Sequence, residues 1–224
     1  MRKEKERFSL KDIVEKIRMN EVPIAVNGNW DNGKEGINIK DIRYDYFKKL
    51  DKEVIFESVI KGYDIIIYFE NDISRISINY LFEDESNEVR LREIGYYKLS
   101  HRKDVEKLKS IYKLLYEVEK AYIEKPFRGV GLGSIVYLSI LETLKFNIIS
   151  NGVQFDGPRY LYKKFSHFET IYCDIVDLND MKILKENYKI INNPVDINNL
   201  DNLVWDKDPF SDKDEIRIIL YTSK

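Results

Sequence analysis

The stretch RGVGLGSIVYL, Arg128–Leu138, places three glycines at every second position directly before an apolar run with helical spacing. Glycine costs about 1 kcal/mol in a helix interior relative to alanine, so three of them here need a reason. A helix N-terminus carries N–H groups without intrahelical partners, and glycines before it let the backbone close around an anion. The pattern therefore predicts a phosphate-binding turn. The alternative interpretation is that the glycines only allow close packing of the helix on a sheet.

Composition narrows the class of protein. The chain has 224 residues, a net charge of −2, 43% hydrophobic and 34% charged residues, which is typical of a globular protein that binds neither nucleic acid nor membrane. Cys173 is the only cysteine, which excludes an internal disulfide. His101 and His167 lack ligand spacing to each other or to Cys173, so we expect no metal. Without a signal peptide or a membrane span, we expect a cytoplasmic location.

The rest of the chain has the pattern of an α+β fold. Residues 54–100 contain four segments rich in Ile, Val, Tyr and Phe, separated by KGYD, NDIS and DESN, as in an antiparallel meander. Further on, helical spacing predicts helices, and alternating or short apolar runs predict strands. The predicted helices are 9–17, 102–115, 134–146 and 157–165, and the predicted later strands are 147–150, 168–178 and 215–223.

The segment that leads into the glycine turn, EVEKAYI (Glu117–Ile123), fits helical periodicity and strand alternation equally well. We predict a strand over residues 116–123, inside a mixed sheet. A strand can deliver the turn so that its amides point into a cleft, whereas a helix would have to reverse direction first.

Two well-known phosphate-binding motifs do not fit the turn. A Walker loop requires G-x-x-x-x-G-K-[ST], and no lysine follows Gly133. A dinucleotide fingerprint requires G-x-G-x-x-G after a buried apolar strand, but this turn contains G-x-G-x-G and follows the charged segment EVEKAYIEK.

A third motif fits better. Arg128, Gly131 and Gly133 satisfy [Q/R]-x-x-G-x-[G/A], so the turn resembles the acetyl-CoA pyrophosphate loop of the GNAT superfamily of N-acyltransferases. The resemblance continues through the short strand NIIS to LYKKF, Leu161–Phe165, which stands where the family has an LYxKxGF-like run. The chain lacks that run's glycine and the Asn and Ala that usually precede it, and Pro126 lies one residue later than the family's proline. The resemblance covers residues 117–177.

The resemblance implies a GNAT-like mixed, mostly antiparallel central sheet flanked by helices, with residues 51–224 as one compact domain after an N-terminal helical and loop extension, residues 1–50. It also implies that acetyl-CoA is the cosubstrate, aligned by the strand before the turn and held at its pyrophosphate by the turn amides. The residues expected to bind it are Tyr122, Ile123, Arg128, Gly129, Val130, Gly131, Gly133 and Ser134.

The implied reaction needs a proton acceptor for the attacking amine and a proton donor for the CoA thiolate. Glu117 and Glu119 lie on one face of the predicted strand and are candidate bases; the alternative is that they form a solvated face. Tyr162 matches the family's tyrosine and is the candidate acid, unless it is a packing aromatic. Tyr160 lies about 200° around the helix, so both tyrosines cannot face the thiol.

Two functions follow as expectations. The first is a CoA-dependent N-acetyltransferase that acts on a primary amine of a small molecule or protein by direct attack in a ternary complex. The second is a GNAT-fold binding protein without catalysis, for example a phage protein that acts on a host target. Only Ala25 and Ala121 are alanines, which indicates an AT-rich bacterial or phage genome. A homodimer is compatible with either function.

Overall fold

The computed structural model describes residues 41–43, 52–103, 105, 108, 111–151, 156–165, 168, 170–188, 204 and 215–222. The helix predicted at 9–17, the expected domain boundary near residue 50 and His167 lie outside these residues. The described residues form an α+β structure with a large, mostly antiparallel mixed sheet and few helices. The predicted fold class is therefore confirmed at this coarse level.

Five strands make up the N-terminal part of the sheet. They are β1 (Asp41–Arg43), β2 (Glu53–Ile60), β3 (Tyr63–Glu70), β4 (Arg75–Glu83) and β5 (Val89–His101). The last four confirm the predicted meander, and KG between β2 and β3 forms a two-residue turn in which both residues have positive φ, 50° and 81°. That conformation matches the twist of an antiparallel hairpin. β1 is a strand that the sequence pattern does not predict.

The chain divides into two compact units. The first comprises the described parts of 11–98 and 120–136, and the second comprises those of 99–119 and 137–224. In the first unit the strand order is β2-β3-β4-β5 with every pair antiparallel, and β1 pairs with Arg90–Arg92 of β5. The β4–β5 register shifts so that Ile94 is an extra residue in β5, between Glu93 and Gly95. Such a bulge bends a strand and increases its twist.

The second unit contains the C-terminal strands in the order β6-β7-β10-β8-β9. Their bounds are β6 (Leu115–Ile123), β7 (Asn147–Ile149), β8 (Tyr172–Asp177), β9 (Lys182–Lys185) and β10 (Ile216–Tyr221). Residues 115–119 of β6 belong to this unit, and 120–123 belong to the first. β6 and β7 are parallel, while β10 pairs antiparallel with both β7 and β8. The strand predicted over 116–123 is confirmed.

Two helices complete the described fold. α1 (Leu132–Leu138) continues as a π-helical segment, Ser139–Thr143, and α2 is Asp156–Phe165. α1 connects β6 to β7, as a parallel pair requires a crossover connection. Its apolar side chains are buried on several sides of the helix, as the sequence predicts. No helix among the described residues is long and apolar enough to span a membrane.

The helix predicted over 102–115 is wrong at its C-terminal end. Residues 111–114 are turn and bend, Leu114 has a positive φ of 52°, and Leu115 begins β6. Val105, Leu108, Tyr112 and Leu115 are nevertheless buried together against β7, β8 and β10. The periodic apolar positions thus identify core residues correctly, although the backbone leaves the helical conformation to enter the sheet.

Candidate functional site

β6 leads to the glycine turn through a short 3₁₀ turn. Its parallel pairing with β7 covers only Leu115–Glu117, and Val118–Ile123 continue beyond that pairing. Glu124 then donates its backbone N–H to the carbonyl of Ile94 in β5, at 2.8 Å. β6 is also a neighbour of β5 in the sheet order, so these residues continue along β5 after the pairing with β7 has ended. An extended ligand would therefore have to align on the edge of β6 that faces away from β5.

A short 3₁₀ turn, Lys125–Phe127, joins β6 to the glycine turn. Its last residue, Phe127, is buried, and its ring lies edge-on to Tyr63 with 5.3 Å between centroids and 5.7 Å from the ring of Tyr80. Aromatic pairs at these distances stabilise beyond their buried area. Phe127 therefore anchors the base of the turn to β3 and β4.

Arg128 folds back onto the end of β6. Its Nε donates to the carbonyl oxygen of Ile123 at 2.7 Å, and its guanidinium carbon lies 5.9 Å from the centroid of the Tyr122 ring. The residue is exposed. The Nε hydrogen bond thus ties Arg128 to the end of β6, while its terminal nitrogens make no hydrogen bond within the described residues.

The three glycines differ in backbone conformation. Gly129 (φ 77°) and Gly131 (φ 94°) occupy the left-handed region, which other residues adopt only with strain. Gly133 is the second residue of α1 and has helical conformation. The carbonyl of Gly131 accepts from the N–H of Ile135 at 3.1 Å, which makes Gly131 the residue that caps the helix. Two glycines are therefore required by the turn itself, and the third is not.

Buried apolar side chains anchor the turn to the core. Val130 and Leu132 are buried at 8% and 1% exposure, whereas Gly129 at the tip is exposed. Ser134 is also buried, in the first turn of α1. Because the side chains point into the core, the backbone of residues 129–133 forms the outer surface of the turn. The cations Lys125 and Arg128 are exposed beside it, and a positive surface attracts phosphate.

Gly95 is a component that the sequence analysis missed. A Cβ at this position would lie 2.6 Å from the carbonyl oxygen of Tyr122, so β5 and β6 approach each other here as only glycine permits. The same segment of β5 carries Tyr96, whose ring lies 6.0 Å from that of Tyr122. A lone glycine inside the alternating pattern REIGYYK is the signal that predicts such an approach.

The candidate bases lie on the part of β6 in the second unit. Glu117 is paired with Arg102, with 2.5 Å between carboxylate Oε2 and guanidinium Nη1 and about 20% exposure for each side chain. Glu119, two residues on, is exposed. Nothing in the sequence connects Arg102 with Glu117, because the pairing depends on the backbone hydrogen bond that brings Arg102 beside Leu115.

The candidate acid lies on α2. Tyr162 is 1% exposed, and its ring lies edge-on to Tyr137 of α1 with 6.0 Å between centroids. Tyr160 is 64% exposed. The two tyrosines therefore lie on different sides of the helix, as the 3.6-residue period predicts. The burial of Tyr162 is what a packing aromatic requires.

The structure thus places Tyr122 and Ile123 at the end of β6 and residues 128–134 in the following turn and the start of α1, all in the first unit. Glu117, Glu119 and Tyr162 belong to the second unit. No group of three or more His, Cys, Asp or Glu side chains in the described part of the chain is placed to hold a metal ion. No protein-family model, curated protein or solved structure matches this chain. The functional argument therefore depends on the chain's own residues.

Proposed function

We propose that this protein is a CoA-dependent N-acyltransferase that transfers an acetyl group from acetyl-CoA to a primary amine. The observation that carries the proposal is the strand β6, which continues past its pairing with β7 and leads, through the 3₁₀ turn Lys125–Phe127, into a turn with two left-handed glycines and a helix. The subsequent order of strand, helix and strand, β7, α2 and β8, is the order that the GNAT resemblance implies.

The turn is suited to a pyrophosphate for physical reasons. Residues 129–133 present backbone rather than side chains, and the first N–H groups of a helix have no intrahelical acceptors. The helix dipole and the exposed cations Lys125 and Arg128 add positive potential at the same place. The edge of β6 that faces away from β5 would then align the pantetheine through backbone hydrogen bonds, with Tyr122 and Ile123 closest to the turn.

The proposed reaction is direct transfer. The acceptor nitrogen attacks the thioester carbonyl carbon, the carbon–sulfur bond breaks, the amine proton passes to a base and the CoA thiolate takes a proton from an acid. Of the two candidate bases, we assign Glu119, because its exposed carboxylate is accessible to an amine directly or through water. Glu117 is held by Arg102 and would act on the position of the strand rather than on the proton.

Tyr162 is the proposed acid. Its hydroxyl has little contact with solvent, and a donor shielded from water gives its proton to the leaving thiolate rather than exchanging it. The exposed Tyr160 on the same helix provides a matched control.

Acetyl-CoA binding tests the proposal first. Acetyl-CoA at 100 times its Kd should stabilise the wild-type protein by about 2.7 kcal/mol in a thermal melt. Release of CoA thiol should then be followed with a thiol reagent against a panel of amines and peptides. Cys173 contributes little background because it is buried. No stabilisation by acetyl-CoA would refute the proposal.

A second candidate function is a binding protein that has the same turn but no catalysis. The observation in its favour is that Tyr162 and Glu117 both make contacts typical of structural residues, a buried ring pair and an ion pair. Under this hypothesis acetyl-CoA binds to the turn, yet no amine in the panel is acetylated, and Tyr162→Phe changes stability only.

A further inference from the structure

Arg217, in β10, is a half-buried guanidinium that the proposed mechanism does not use. Its Nη1 donates to the backbone carbonyl of Ile216 at 3.1 Å, and its Nε is buried without a hydrogen-bond partner. Within the described residues it forms no ion pair, and burial lowers its pKa. A half-buried guanidinium with an unsatisfied N–H donor is uncommon, so the residue requires an explanation.

A second unsatisfied group lies opposite it. Ile219 of β10 pairs with Ile149 of β7, and the same register places Asn151 across from Arg217, on the same face of the sheet. The two chains remain in contact between these points, because Ser150 donates its N–H to the carbonyl of Ile218 at 2.8 Å. The Oδ1 atom of Asn151 is buried and has no partner. β10 and the residues that follow β7 thus each carry a buried polar atom without a partner, the Nε donor of Arg217 and the Oδ1 acceptor of Asn151.

Three charged side chains act on Arg217 and, together with it, make a group of two cations and two anions. Glu215, Glu117 and Arg102 all act on the charge of Arg217, and Arg102 is itself paired with Glu117. Two cations and two anions leave no net charge around the site before a ligand binds. A singly charged carboxylate can be matched by the planar guanidinium of Arg217. Both glutamates repel any anion, but they repel a doubly charged phosphate about twice as strongly as a singly charged carboxylate, so the charges favour a carboxylate.

We propose that Arg217 binds a carboxylate group of the acceptor, and that Asn151 accepts from an N–H of the same molecule. The acceptor class is then an amino acid or a peptide terminus, in which an amine and a carboxylate lie on one small unit, rather than a simple alkylamine. This proposal rests on the proposed acyl transfer for its biological meaning, but the binding that it describes exists without it.

Binding is measured first, without acetyl-CoA. The probes are the twenty amino acids and their C-terminal amides, tested by thermal shift and then by titration calorimetry on the full chain. We expect at least one amino acid to bind roughly 10- to 150-fold more tightly than its amide, the range for one charge-assisted interaction. Arg217→Gln should abolish that preference and Arg217→Lys should keep part of it. Arg90→Gln, which removes a guanidinium paired with Asp84 in the first unit, should not change it.

Four results of these binding measurements would overturn the proposal. Equal affinity for amino acids and amides, no binding of any probe, binding of inorganic phosphate alone, or an unchanged preference in Arg217→Gln would each overturn the proposal. If Arg217→Gln does not fold, the proposal is tested by the ratio of the affinities for an amino acid and for its amide, measured in the wild type and in Arg217→Lys. Acetyl-CoA binding is measured separately. Binding of an amino acid without binding of acetyl-CoA would support the site at Arg217 and refute the acyltransferase. Binding of acetyl-CoA without binding of any amino acid would support the acyltransferase and refute the site at Arg217. In kinetics, Arg217→Gln should raise KM for the amino acid only.

Discussion

Replacing Gly133 by alanine separates the phosphate-binding role of the turn from its folding role. Gly133 is the second residue of α1 and needs no special φ, so alanine should raise the free energy of unfolding by roughly 0.5–1 kcal/mol through helix propensity. In a chain of this size that corresponds to about 1–4 °C in Tm. The new Cβ tilts toward the helix N-terminus, where the pyrophosphate is proposed to lie. Loss of one charge-assisted hydrogen bond should weaken acetyl-CoA binding by about 10- to 150-fold.

Two further variants distinguish a loss of acetyl-CoA affinity from a loss of stability. Gly131→Ala places a side chain at φ 94° and should lower the free energy of unfolding by roughly 1–2 kcal/mol, while weakening acetyl-CoA binding as Gly133→Ala does. Gly62→Ala carries the same backbone strain at φ 81° in the β2–β3 hairpin, with open space around its Cβ, and should leave acetyl-CoA binding unchanged. The assays are thermal melts without ligand and titration calorimetry with acetyl-CoA.

The decisive result is the combination of stability and affinity. Binding lost in both turn variants, with stability moving in opposite directions, supports backbone contact with the pyrophosphate. A Gly133→Ala protein that melts at a higher temperature and binds acetyl-CoA as tightly as the wild type would refute the reasoning and leave helix packing as the role of this glycine.

Three other predictions concern single side chains. Tyr162→Phe should lower kcat by roughly 10²- to 10⁴-fold with little change in KM for acetyl-CoA, whereas Tyr160→Phe should be neutral; equal steady-state rates for Tyr162→Phe and wild type would remove the acid assignment. Asp174 is fully buried and accepts from the hydroxyls of Tyr112 and Tyr221, so Asp174→Asn should cost roughly 2–4 kcal/mol in urea unfolding, and a loss below about 1 kcal/mol would contradict this role. Burial raises the pKa of the Cys173 thiol from 9.0 to about 12, so the thiol ionises at lower pH in the unfolded chain than in the folded one. The free energy of unfolding should therefore be unaffected by this group below pH 9.0 and should fall between pH 9.0 and about 12, by at most about 1.4 kcal/mol per pH unit. Cys173→Ala should reduce that slope, and an unchanged pH profile would contradict the prediction.

The sequence alone determined most of the secondary structure. The segments rich in Ile, Val, Tyr and Phe within residues 54–100 predict four strands, and β2 to β5 occupy nearly the same positions, because β-branched and aromatic residues favour strands and the polar breaks favour turns. The helix over 157–165 and the short strand at 147–150 are also found as α2 and β7. The turn at residues 128–131 was predicted from its glycine spacing, and Gly129 and Gly131 adopt φ values of 77° and 94°, which glycine adopts with least strain.

Local patterns failed where a long-range partner determined the conformation. In β9, KILK, only Ile183 is partly buried, and the segment forms a strand by pairing with β8. β1 is three residues long and forms by pairing with β5. Residues 111–114 continue a helical pattern, but the chain must turn there to begin β6 beside β7. The pairing energy of a strand comes from residues far away in sequence, so periodicity within a window does not contain it.

The surroundings of the functional side chains were decided only by tertiary structure. Glu117 became an ion-pair partner of Arg102, and the lone glycine in β5 became the point of closest approach to β6. Arg217 and Asn151 acquired unsatisfied buried atoms because β10 and β7 pair in one particular register. A sequence specifies which donors, acceptors and charges a chain has. Which of them lose contact with water, and beside which partners, depends on strand order and register, and these are set by the packing of the whole sheet.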